Sequence, residues 1–324
     1  MTRRLAWVII AILGVGIFSG GLFGWGYAGF VRPGPLTEPT TTVIPRGAGV
    51  DAIASHLAKA GIVSYSWLFR VGAQLSGAAK GLRYGEYAFE PGINMRDVIV
   101  KLQSGKTVVR RLTVPEGMTA AQLIQQLLTM EGLEGGIGRW PEDGALLPDT
   151  YNYSYGDSRQ SILQRMAEAM DAYMQQRWSE RSPSLVRTPR EALTLASIVE
   201  KETAIAAERP QIAAVFLNRL KRGMRLQSDP TVVYGLTRGT GGLGRALSRT
   251  DLQSDSPFNT YIVQGLPPAP ICNPGRASID AVLFPAKTSD LYFVADGSGG
   301  HVFAETLEEH NRNVARWRKI RPEP

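Results

Sequence analysis

Hydrophobic and polar positions divide the chain into stretches of different period. Leu5 to Val31 carries no charged residue over 27 positions. A helix of that length exceeds the ~20 residues needed to cross a bilayer core. Seven glycines, at 14, 16, 20, 21, 24, 26 and 29, weaken a helix in water, but membrane helices tolerate them. Arg3 and Arg4 precede the run and few basic residues follow it, which predicts a cytoplasmic N-terminus with a transmembrane anchor over 1–31. A cleaved signal peptide would have an apolar core of ~7–15 residues ending in small side chains. This run is longer and ends at Trp25, Tyr27 and Phe30, so an uncleaved single-pass anchor is expected.

Residues 32–40, with Pro33, Gly34, Pro35 and Pro39, read as a short stiff linker. A small strand–helix module is expected over 41–107. Val43-Ile44-Pro45-Arg46-Gly47 predicts a strand ending in a turn, and Asp51–Ala60 a helix with Ile53 and Leu57 inward. Pro91-Gly92 before Val98 and Leu102 echoes this pattern, as does Val114-Pro115-Glu116-Gly117 before Leu123 and Leu127. An accessory subdomain is expected over 108–187, with a helix from Ser161 to Trp178. The last domain, 188–324, opens on a capping box: Thr188, Pro189 at the first helical position, and Glu191. Leu195, Ile198 and Val199 follow as an apolar stripe, and Pro210 restarts a helix that Gly223 ends. Strands are expected at 229–236, 258–264 and 290–304, with Gly297–Gly300 as a hairpin turn and Thr306–Ile320 as a closing helix. The expected class is α+β, with a transmembrane helix, a small strand–helix module and a larger mixed α/β domain.

The formal charge of +7 admits nucleic acid, anionic lipid or an acidic polymer as partner. Lys and Arg are dispersed, with no block of five and no recognised motif, which argues against nucleic acid. Cys272 is the only cysteine, so no internal disulfide framework exists. The three histidines, 56, 301 and 310, are scattered, and neither a metal nor a cofactor is expected. Gly239–Gly244 spells GxGxxG, but it lacks the preceding apolar strand and the following acid of a dinucleotide site, and reads as a flexible loop.

Candidate chemistry centres on Glu200 and Glu202. Glu202 lies on the stripe of Leu195, Ile198 and Val199, whereas Glu200 falls about 200° away with Leu193, Ala196 and Ser197. A carboxyl on an apolar face is desolvated, its pKa rises, and it can act as a general acid. An ordinary charged helix end is the alternative reading of the same residues.

The runs LASIVEKET (195–203), VFLNRL (215–220), GMRLQSDPTVVYG (223–235) and FNTYIVQGLPP (258–268) occur in an order that resembles the YceG-like family of endolytic murein transglycosylases. The resemblance implies a catalytic Glu at Glu202, with Glu200 as the alternative. It implies substrate-binding roles for Gln227, Asp229, Tyr234, Asn259 and Tyr261, and for Asp149 and Tyr151 in the run Leu146–Tyr151. It also implies that 41–107 is LysM-like. Tyr151, Tyr153 and Tyr155 alternate, so on a strand they would share a face, as sugar platforms or as packing. The implied reaction cleaves the β-1,4 bond between N-acetylmuramic acid and N-acetylglucosamine in nascent peptidoglycan strands, leaving 1,6-anhydromuramyl ends. Implied partners are glycan strands, the membrane and glycan polymerases. The implied location is the inner (cytoplasmic) membrane, with the catalytic domain periplasmic.

Overall fold

The computed structural model describes residues 2–183 and 186–320, with the side chains of residues 2–4 and 6 outside the description. The expected flanking charges of Arg3 and Arg4 therefore lie outside the described residues. The chain divides into two compact units, Met1–Arg110 with Asn152–Asp157, and Arg111–Tyr151 with Ser158–Pro324. Most of the segment expected to be a separate accessory subdomain thus clusters with the last domain.

In the first unit, α1 (Thr2–Val31) contains one span, Trp7–Val31, long and apolar enough to cross a membrane. Strand β1 (Thr40–Ile44) pairs antiparallel with β2 (Gly85–Phe89), from Thr40 opposite Phe89 to Ile44 opposite Gly85. Helices α2 (Val50–Lys59) and α3 (Ser66–Leu75) lie between them in sequence, and α4 (Met95–Ser104) follows. Their apolar faces close one core of Ile44, Leu57, Phe69, Tyr87, Phe89 and Leu102. Glu86 is buried and accepts two bonds from Arg110, at 2.7 and 2.8 Å, which hold its carboxyl below the usual range.

The three echoed turns have one backbone explanation. Gly47, Gly92 and Gly117 have φ of +76, +71 and +76°, a region other residues rarely enter. Each leads within three residues into a ten-residue helix: α2, α4 and, in the second unit, α5 (Ala120–Thr129).

The second unit is built around α7 (Pro189–Glu202). Its capping box is complete: the Glu191 amide donates to Thr188 Oγ1 at 3.1 Å, and the Thr188 amide to Glu191 Oε2 at 3.2 Å. Leu195, Ile198 and Val199 are buried against α8 (Arg209–Lys221) and α10 (Arg276–Leu283), with methionines of α6 (Arg159–Glu180) completing the core. The expected hairpin is present: β3 (Tyr292–Ala295) pairs antiparallel with β4 (His301–Ala304), and α11 (Leu307–Ile320) closes the chain.

Two expected strands are absent. Residues 229–237 form α9 (Asp229–Thr237), because Asp229-Pro230 starts a helix more strongly than Thr231, Val232 and Val233 favour a strand. Residues 258–264 turn instead of extending. The Asn259 carboxamide donates to the Leu252 and Ser254 carbonyls at 3.1 and 2.9 Å and accepts from the Tyr261 amide at 3.0 Å. The tyrosines do not form an exposed platform. Tyr153 is buried, and half-buried Tyr151 donates to the Leu147 carbonyl at 2.6 Å.

Phe216 of α8 is buried and meets Phe293 edge to face at 5.8 Å. Phe216→Ala should destabilise the second unit by about 3–5 kcal/mol, measured by denaturant unfolding of the full chain.

Candidate active site

Glu202 is the last residue of α7, and Thr203 caps the end. The apolar stripe that buries α7 carries Glu202 into the structure, so its carboxyl is largely desolvated. Ser228 Oγ donates a short hydrogen bond to Glu202 Oε1, while among the described residues no donor reaches Oε2. Burial drives the Glu202 pKa up; the Ser228 bond opposes this, the Asp229 charge adds to it, and His301 and Arg219 oppose it. The balance lifts it from 4.5 to about 7. The carbonyl end of α7, negative by its dipole, acts in the same direction.

Ser228 occupies the position before α9 where a serine usually caps a helix, yet its side chain makes no cap bond and turns to Glu202. It is held there by a buried hydroxyl cluster. The Ser228 amide donates to Thr260 Oγ1 at 3.0 Å, the Thr231 hydroxyl donates to the Ser228 carbonyl at 2.6 Å, and the Thr231 and Thr260 hydroxyls meet at 2.9 Å. Gln227, just before, takes φ of +52°, a rare conformation for a side-chain-bearing residue, and its amide donates to the Thr260 carbonyl.

Asp229 is exposed and accepts a 2.6 Å bond from the Tyr261 hydroxyl; burial, then this carboxylate, pushes the phenol pKa up. A groove of about 390 Å³ runs beside Asp229, lined by Thr119, Lys201, Tyr234, Gly239, Gly242 and Arg245 among others. The GxGxxG loop is therefore groove wall. Tyr234 donates to Asp143 at 2.6 Å.

The expected site residues thus divide. Asp229 and Tyr234 line the groove and Tyr261 bonds Asp229, whereas Gln227, next to Ser228, is held by its amide bond to the Thr260 carbonyl. Asn259 is wholly buried and shapes the loop behind it. Asp149 pairs with Arg276 at 2.9 Å, and Tyr151 bonds backbone, so neither has a described link to Glu202. Ser228 and the Thr231–Thr260 pair were not expected, although Ser228 stands within the quoted 223–235 run.

Glu200 has a different environment from Glu202. Its side chain is nearly inaccessible, accepting from Arg209 at 3.0 Å and from the Gly275 amide at 2.9 Å. Arg209, also buried, bonds Glu116 at 3.2 Å. Beyond Glu202, Thr203 donates to Glu208 at 3.2 Å, and Glu208 lies 2.7 Å from His301 Nδ1. Burial raises the Glu208 pKa, but the His301 and Thr203 bonds outweigh it and leave it lowered. Cys272 is buried against the Ser197 carbonyl, its thiol pKa pushed up by burial. No group of three or more His, Cys, Asp or Glu among the described residues is placed to hold a metal ion.

A carboxyl with its pKa raised to about 7, bonded to the residue before groove-lining Asp229, has the properties a general acid–base group needs. The profile of the YceG-like family matches residues 42–316, and the chain belongs to this family. It is 34% identical to the endolytic murein transglycosylase of Bacillus subtilis over 91% of this chain and 90% of that one. It is 31% identical to the protein of the same name from Streptococcus pneumoniae, over 96% of this chain and 65% of that longer one. The crystal structure of a YceG-like protein from Listeria monocytogenes superposes with a TM-score of 0.54 at 32% identity, covering 85% of this chain and 98% of that one.

The raised pKa has a thermodynamic consequence. A proton held more tightly in the folded state stabilises it fully below pH 4.5, and that contribution is lost as pH rises through about 7. Glu202→Gln has no such proton. The stability of the wild type relative to this variant should therefore fall across that window by on the order of 3 kcal/mol, then level off, as read from urea unfolding at a series of pH values.

Proposed function

We propose that the chain is an endolytic murein transglycosylase with Glu202 as its single catalytic acid and base. The observation that carries this reading is a carboxyl with its pKa raised to about 7, bonded to the residue before groove-lining Asp229, in a chain whose relatives bear that name. Ser228 holds Oε1 and leaves Oε2 to carry the proton. Glu202 donates that proton to the oxygen bridging N-acetylmuramic acid and N-acetylglucosamine as the C1–O bond breaks. The carboxylate then accepts the proton of the muramyl C6 hydroxyl, whose oxygen bonds C1. One bond is broken, one is formed, the proton returns to Glu202, and no water is consumed. Gln227, Asp229, Tyr234 and Tyr261 line or support the sugar path, and the LysM-like reading of the small unit makes it a candidate second glycan contact.

The same proposal places α1 across the cytoplasmic membrane with its N-terminus inside. A periplasmic-type reporter fused after the last residue should be active only outside the cytoplasm. Activity inside would invert the anchor and remove the enzyme from its substrate.

Digests of purified glycan strands test the chemistry. Glu202→Gln should lower formation of anhydro-ended product by ~10²–10⁴, and the wild-type rate should fall as pH rises through about 7 as the acid form is lost. Glu200→Gln should keep far more activity but lose stability, because it removes the carboxylate facing buried Arg209. An inactive Glu200→Gln beside an active Glu202→Gln would move the acid to Glu200. Binding without cutting by the wild type would make the chain a glycan-binding protein.

A further inference from the structure

We propose that α3 is a second membrane contact, lying in the outer interface of the bilayer beside the emerging end of α1. The inference rests on the reading of α1 as a membrane anchor and adds a surface that reading does not assign.

Helix α1 has 30 residues, about 45 Å at 1.5 Å per residue, against a hydrocarbon core of ~30 Å. Trp7 and Trp25, both exposed, are about 27 Å apart on this helix, close to that thickness. Tryptophan concentrates at membrane–water interfaces. The two rings therefore bracket the core, and residues 26–31 emerge from it.

The emerging turns are where α3 packs. A side chain at Gly29 would meet Leu68 at 3.1 Å, and one at Gly72 would enter the Phe30 ring at 2.2 Å. Glycine at both positions lets the helices approach closely. The Trp67 ring stacks on Trp25, with centroids 6.2 Å apart and planes 16° from parallel. Trp67 therefore sits at the depth of Trp25, the interfacial residue.

From that level α3 turns apolar side chains toward the bilayer. A groove of about 630 Å³ between the two helices is lined by Leu22 and Phe23 of α1 and by Trp67, Val71 and Leu75 of α3. Leu22 and Phe23 precede Trp25 and so lie in the hydrocarbon, which makes the groove continuous with it. Leu75 is 78% exposed and Trp67 45% exposed, which water would not favour. The only charged residue of α3 is Arg70, engaged with Asp51 at 3.1 Å. An apolar helix face at this depth takes lipid acyl chains, buried about 5–10 Å into the headgroup boundary.

The test uses the full chain in phosphatidylcholine–phosphatidylglycerol vesicles, with an environment-sensitive dye on Leu75→Cys, Tyr65→Cys, Leu13→Cys or Ser55→Cys. Cys272 is buried and stays unlabelled. Leu75 and Tyr65 labels should be quenched by lipids with a shallow nitroxide and protected from aqueous iodide. The Leu13 label should respond to deep nitroxides, and the Ser55 label, on α2, to iodide. If the Leu75 and Tyr65 labels are as open to iodide as Ser55 while Leu13 is embedded, α3 does not touch lipid, although the anchor stands. If Leu13 is also open to iodide, the anchor reading fails and this proposal with it. Labels protected from iodide but unquenched by lipid nitroxides would mean that a second copy covers α3, which also overturns the proposal.

Discussion

The proposed chemistry depends on the desolvation of one carboxyl. Glu202 ends a helix whose burial is set by Leu195, Ile198 and Val199, so the force that folds the second unit also removes water from the acid. The Ser228 bond keeps this arrangement from being merely costly. It favours the charged form enough to leave the group near 7, where both the acid and the base form are populated at neutral pH. A carboxyl buried without Ser228 would release its proton less readily, and one exposed to water would already have lost it.

Glu200 and Glu202, two positions apart, thus have opposite environments. Glu200 is nearly inaccessible, but it faces Arg209 and a backbone amide, and it joins α7 to the start of α8 and to Gly275. Its buried charge is compensated and serves packing. Glu202 has a single hydroxyl and no cation in direct contact among the described residues, so its proton is what compensates burial. Burial alone does not decide a carboxyl's proton affinity; its partners do.

Local signals are legible in the sequence. The capping box at Thr188, the repeated glycine turns, the 292–304 hairpin and the stripe that carries Glu202 all depend on residues close in sequence. The misses came where distant residues or competing local preferences decide. Thr231, Val232 and Val233 favour a strand, yet Asp229-Pro230 starts a helix that then packs beside α7. The residues at 258–264 read as a polar strand because the loop carbonyls that hold Asn259 cannot be seen in a pattern. Ser228 carries no signal of its own within the 223–235 run. Its partner lies 26 residues upstream and meets it only after α7, α8 and α9 have assembled. Asp149 and Tyr151 carry bonding groups, but these are engaged by Arg276 and by the Leu147 carbonyl.

Titration of the Glu202 carboxyl itself tests this account most directly. In protein labelled with ¹³C at the glutamate side-chain carboxyl, the Glu202 resonance is identified by its absence from the Glu202→Gln spectrum and followed with pH. The account predicts a midpoint near 7. A midpoint at the ordinary glutamate value of 4.5 would contradict it, because Glu202 would then hold no proton to donate at neutral pH.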